Sequence, residues 1–156
     1  MPPQQLRKYT NNYESALAYN PGNQDLNLSL AMCYLKLKLY KKATELFERA
    51  IQDNFDNSEA FFYASVSLLE GKKAFLHLRP VIDKVEEFIN AAIMIEPRGI
   101  YHYFWAYIKY DYFYRKAFIT SPTYQELAAK AHYIGFSEYD VIQLFTILGV
   151  TKPEAI

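Results

Sequence analysis

The side chains that could carry chemistry in this chain are one cysteine, three histidines and the carboxylates, and their spacing assembles no reacting set. His77, His102 and His132 fall in three different predicted elements, so no two share the helical spacing that puts a pair of imidazoles on one metal ion. Glu86 and Glu87 are adjacent, point from different faces of a helix, and cannot work as an acid and base pair. Cys33 sits inside a predicted helix with no histidine near it in sequence to take its proton, and reads as a small packing residue. A single cysteine also excludes an internal disulfide and fits a cytoplasmic protein. No glycine-rich phosphate cradle or nucleophile elbow is present. The residues therefore predict no enzyme, no cofactor and no metal site. The alternative is an enzyme or ligand-binding protein with its pocket beside Gly71 to Pro80, where His77 and Arg79 could face an aromatic helix.

A chain of 156 residues, 51% hydrophobic and 22% charged, is long enough for one domain with a substantial core. Seventeen basic residues balance seventeen acidic ones. A track for nucleic-acid phosphates needs a basic surplus, so no nucleic-acid partner is expected. The local run Lys36, Lys38, Lys41 and Lys42 reads as a solvated face on which Lys41, Glu45 and Arg49 form spaced ion pairs. No run of 18 apolar residues exists to insert into a membrane, and the first residues lack an apolar signal-peptide run.

Hydrophobic periodicity and punctuation predict helices over residues 4–19, 24–38, 41–53, 58–70, 80–95, 99–119 and 122–134, with a shorter one over 138–148. Ser58, Thr123 and Ser137 are the expected caps, the last two with an acidic residue three positions on. Gly22, Gly71, Gly99 and Gly135 fall at the junctions.

Within this array Gln24 to Asn57 forms a unit of 34 residues in which small and large residues alternate: Leu30, Ala31, Tyr34, Tyr40, Ala43, Phe47 and Ala50. Small residues let helix backbones approach while aromatics fill the remaining space. On these residues the segment resembles the tetratricopeptide repeat family. It departs at Asn27, where the family prefers a large apolar residue, and at Phe55, where it prefers proline. Tyr13, Ala16 and Pro21 continue the register upstream, and Ala92 and Pro97 continue it downstream after an insertion of eight residues around Gly71 to Pro80. The resemblance implies an all-α fold, a right-handed superhelical array of antiparallel helix pairs. Its parts would be a half repeat over 4–23, a repeat over 24–57, a repeat with an insertion over 58–97, a divergent pair over 98–135 and a cap over 137–149. The cap is expected to cover the open end of the stack with Val141, Leu144, Phe145 and Leu148. Opening on half a repeat is what a piece of a longer protein would show.

The segment Tyr101 to Phe118 carries aromatics around its whole circumference. Such a helix is either sandwiched between neighbours or exposes part of itself to a partner. The resemblance implies that the first helix of each pair lines a concave groove. Its positions are Asp25, Leu28, Ser29, Met32 and Leu35, then Glu59, Phe62, Tyr63, Val66 and Leu69, then Tyr101, Phe104, Trp105, Ile108 and Tyr112. Family members that grip a chaperone's C-terminal carboxylate carry lysine, asparagine and arginine where this chain has Asp25, Ser29, Glu59, Tyr63, Tyr101 and Trp105. The expected function is accordingly a scaffold or adaptor that binds an apolar or aromatic-anchored peptide or helix of a protein partner, with Trp105 as an anchor. The alternative is self-association, as a homodimer or within a larger repeat protein.

Overall fold

The computed structural model describes residues 2–156, apart from the side chain of Asp53. Eight α-helices follow one another: α1 (Pro3–Tyr19), α2 (Gln24–Lys36), α3 (Tyr40–Asp53), α4 (Ser58–Ser67), α5 (Arg79–Ile95), α6 (Gly99–Ile108), α7 (Tyr124–Ile134) and α8 (Glu138–Leu148). Each of the first six packs on the next, as consecutive members of a helical array do. The repeat alanines form the contacts that the spacing predicts. Ala31 and Ala43 are fully enclosed, and Phe47 is buried beside them. Asn27 replaces the missing large residue with hydrogen bonds, its amide donating to the carbonyls of Pro21 (3.2 Å) and Asn23 (2.9 Å) and so fastening the turn before α2. Phe55, by contrast, is exposed.

Several local expectations are corrected. The cap of α4 is Asn57, whose Oδ1 accepts from the Ala60 amide at 3.1 Å. Ser58 is buried and meets the Tyr101 hydroxyl at 2.9 Å. Thr123 and Ser137 do cap their helices, Ser137 in a reciprocal box with Asp140. Helix α4 ends at Ser67, where Glu70 and Gly71 take positive φ and turn the chain out of the helix. Lys41, Glu45 and Arg49 form no ion pair among the described residues; Lys42 instead lies over the Tyr34 ring at 5.5 Å.

The predicted single helix over 99–119 is two elements. α6 passes at Lys109 into a six-residue π-helical turn, Lys109–Tyr114, and the chain then leaves it. A π turn advances by a smaller angle per residue, so Asp111, Tyr112 and Phe113 in succession are all buried. The insertion of 71–80 holds a short 3-10 turn, Ala74–Leu76, docked on this widened segment. The Ala74 amide donates to the Tyr107 hydroxyl (3.2 Å) and the Phe75 amide to Asp111 Oδ2 (2.8 Å). α6 is thus the central helix, with Tyr101, Tyr103, Phe104 and Tyr107 almost without exposure. Gly99 at its start is required by packing: a Cβ there would fall onto the carbonyl of Gly135 at the end of α7.

Candidate binding surface

α4 and α6 lie side by side, joined by Phe62, whose ring meets those of Tyr101 at 4.7 Å and Phe104 at 5.7 Å. α8 is laid across the inner face that these helices share. Phe145 puts its ring edge-on to Tyr103 (6.3 Å) and Tyr107 (5.5 Å) of α6. At the far end Gly149 lies against Gly71 and the Tyr40 hydroxyl. The C-terminal helix therefore caps the array from its inner side, over α4 and α6, rather than covering only the last helix pair.

Beside α8 a cleft of about 250 Å³ remains, lined by Glu59, Phe62, Tyr63 and Val66 of α4, by Arg98, Ile100 and Tyr101 around the start of α6, and by Tyr139, Asp140, Gln143, Leu144 and Ile147 of α8. Its floor is aromatic and its rim carries both charges. Arg98 joins Glu96 and Glu59, each at 2.9 Å, and these two hydrogen-bonded carboxylates push its pKa up. The same Arg98 contact holds the Glu96 carboxyl below its usual range. Burial, then the charge of Glu59, raises the Tyr63 phenol, and burial raises that of Tyr101. These phenols stay neutral near pH 7; the half-buried Tyr63 puts a polar edge at an otherwise apolar wall, while the buried Tyr101 hydroxyl is engaged with Ser58. Adjoining the cleft along the same side of α8, a second hollow of about 340 Å³ is lined by Leu6, Leu35, Lys36 and Lys38 and by Tyr139, Ile142, Gln143, Thr146 and Ile147 of α8.

Of the expected groove residues, the cleft brings together Glu59, Phe62, Tyr63, Val66 and Tyr101. Met32 and Ser29 line a different hollow between α1 and α2, and Leu28 is half-buried against the core. Phe104, Ile108 and Leu69 are sealed inside. Trp105 does not face the cleft: its indole N–H donates to Glu86 of α5 at 2.7 Å, and the Lys109 ammonium pairs with the same carboxylate at 2.9 Å. Tyr112 lies under Lys116, at 3.9 Å from the ammonium to its ring centre. The α6 residues turned toward α8 or its cleft include Ile100, Tyr103 and Tyr107, one position before the expected Tyr101, Phe104 and Ile108. One residue is a rotation of about 100° on an α-helix, enough to move Trp105 to another face. Arg98 and the α8 residues of the cleft were not expected there. The apolar stripe of α8 was visible in the sequence, but nothing local to it says where the helix docks.

The residues considered for chemistry are held apart. His77 meets the carbonyl of Leu69 at 2.8 Å, His102 that of Arg98 at 3.1 Å, and His132 stacks on Phe136. Arg79 does face the aromatic segment, over Phe113 at 4.9 Å, but its guanidinium pairs with Asp83. Among the described residues no helix is long and apolar enough to cross a membrane.

Comparison with known proteins agrees with this architecture. A family model described as tetratricopeptide repeat matches residues 10–63. No curated protein sequence matches the chain. Among solved structures, "MamA MSR-1 C2" superposes with a TM-score of 0.61 at 19% identity, covering 83% of this chain and 67% of that one, a likeness of fold. Residues 10–63 thus match the tetratricopeptide repeat family, and the chain as a whole takes an all-helical α-solenoid fold.

Proposed function

We propose that this protein is a non-catalytic interaction module that takes a peptide or helix of a protein partner on the inner face of α4 and α6. The observation that carries this reading is that the face already seats an apolar helix, α8, and leaves beside it an open cleft with an aromatic floor and a two-signed rim. Tyr63, backed by the buried ring of Tyr101, supplies the kind of wall that anchors partners: a large, stiff side chain with a polar edge. Glu59 and Arg98 fix polarity, since a basic group can meet the free edge of the carboxylate while the guanidinium turns other cations away.

A photo-crosslinking residue placed at position 63 tests this, with one at Glu87, exposed on α5, as the control. A partner adduct at position 63 and none at 87 is expected; equal yields, or an adduct only at 87, would reject the inner face. Light scattering over a concentration series on the same chain separates a foreign partner from a second copy. A mass that doubles with concentration would make self-association the function of this face.

A further inference from the structure

Resting on the inner face being the binding surface, we propose that α8 is a displaceable internal occupant of that surface. The partner that replaces it is an amphipathic helix with α8's apolar stripe and carboxylates on the flank facing Lys36 and Lys38.

α8 is built to stand alone. Its N-terminus is closed by the Ser137 and Asp140 box, and its C-terminus by Gly149 in the left-handed conformation. All of its side-chain hydrogen bonds among the described residues are internal: Gln143 to Tyr139, Thr146 to the Ile142 carbonyl, and the box itself. No ion pair among them ties it to another element. What holds it is the burial of Leu144, Phe145 and Leu148, with Val141 and Ile147 of the helix and Val150 and Ile156 of the tail adding half-buried contacts. Hollows of about 250 and 340 Å³ adjoin each other along its Tyr139, Gln143 and Ile147 side, so its packing is incomplete there. A terminal helix held by apolar contacts alone, without directional side-chain bonds to the rest, sits at the low end of local stability and can open while the array stays folded.

The second hollow states what would do better. Lys36 and Lys38 are exposed there, opposite α8 residues that carry no charge: Tyr139, Ile142, Gln143, Thr146 and Ile147. Ile142 is 60% exposed and gains little from its position. A competing helix with glutamates where α8 has Ile142 and Thr146 keeps the apolar stripe and adds two ion pairs that α8 lacks. Each such exposed pair is worth a factor of about 1.4 to 5, so the two together give roughly 2- to 30-fold tighter binding.

The test uses the full chain and labelled synthetic peptides of residues 137–150: the native sequence, an acidic form with Ile142→Glu and Thr146→Glu, and a basic form with Ile142→Lys and Thr146→Lys. Fluorescence anisotropy at low salt is expected to rank them acidic, native, basic, and Lys36→Glu with Lys38→Glu in the chain is expected to reverse that order. Phe145→Ala in the chain loosens its own α8 and should tighten all three peptides by about tenfold or more, because the competent state becomes more populated. Ranking indifferent to charge would overturn the acidic partner. No gain in Phe145→Ala, with the Trp105 emission still native, would overturn displacement. Should that variant not fold, hydrogen exchange on the native chain decides: α8 amides must exchange at least about 100-fold faster than those of α4, and equal protection overturns the proposal. A partner adduct at position 63 with α8 still protected would leave the inner-face reading standing and remove only the displacement.

Discussion

The carboxylate of Asp111 fastens the inserted segment to the core, and its removal can be worked through quantitatively. Asp111 is 3% exposed and accepts from three directions: the Phe75 amide at 2.8 Å, the Arg115 guanidinium at 2.8 Å and the Tyr107 hydroxyl at 3.5 Å. Tyr107 in turn accepts from the Ala74 amide, so one carboxylate organises two backbone amides of the 3-10 turn. In Asp111→Ala the charge-assisted bond to Phe75 is lost and a part-buried N–H is left without its acceptor, which costs about 2 kcal/mol. The contact with Arg115 is half in water, its side chain 38% exposed, and is worth under about 1 kcal/mol. The long Tyr107 contact adds a few tenths, for a total near 3 kcal/mol. With a urea slope of about 2 kcal/mol per molar, the midpoint should fall by about 1.5 M. The single tryptophan, Trp105, gives the readout without labelling. Asp111→Asn keeps a neutral acceptor and should lose only about half as much. Arg115→Ala should lose under 1 kcal/mol. If Arg115→Ala cost as much as Asp111→Ala, the surface ion pair and not the backbone docking would dominate, and the reasoning would fail.

Glu86→Ala should cost about 3 kcal/mol in thermal melts, since it strands the buried Lys109 ammonium and the Trp105 N–H, whereas the double change Glu86→Leu with Lys109→Met should recover most of that loss. Gly99→Ala should destabilise by about 2 kcal/mol or more because the new Cβ meets the Gly135 carbonyl, while Gly22→Ala, with open space around it, should be neutral or slightly stabilising by the same assay. Stability should also fall in alkali. Burial pushes the phenols of Tyr34 and Tyr103 up to about 12 and that of Tyr107 upward too. Their folded pKa values lie above the unfolded value of about 10, so their contribution is intact below pH 10 and lost as pH rises toward 12, at about 1.4 kcal/mol per pH unit for each phenol. A pH-jump unfolding curve that stays flat between pH 10 and 12 would contradict this. Tyr103→Phe, which deletes a buried hydroxyl without a partner, should be neutral or stabilising at pH 7 and should reduce the alkaline slope.

The helices were legible in the sequence where one local rule decided them. Ala31, Ala43 and Ala50 mark close helix approaches because only a small side chain fits there, and Thr123 and Ser137 mark starts because an oxygen must meet the free amides. Asn57 was overlooked in favour of Ser58 because both are capping types in adjacent positions, and only the burial of Ser58 against Tyr101 separates them. The π turn left no such mark. An aromatic-rich run reads as one helix, and the widening depends on what docks from the insertion, a contact between residues more than thirty apart in sequence.

The inner face was half legible for the same reason. On α4 the repeat register continues unbroken from the preceding unit, and Glu59, Phe62, Tyr63 and Val66 all line the cleft as the register requires. On α6 the insertion breaks the count, and a slip of one residue exchanged a buried Phe104 and an α5-facing Trp105 for Ile100, Tyr103 and Tyr107. The amphipathic pattern of α8 fixes which side of that helix must be covered, but not what covers it, because an apolar stripe fits the open end of a stack and its inner face equally well. That indifference is also why another helix can compete for the seat. A surface that holds α8 by apolar side chains and no side-chain hydrogen bond selects for shape and hydrophobicity alone, so discrimination between occupants falls to the charges at the margin, Lys36 and Lys38 in one hollow and Glu59 and Arg98 in the adjoining one.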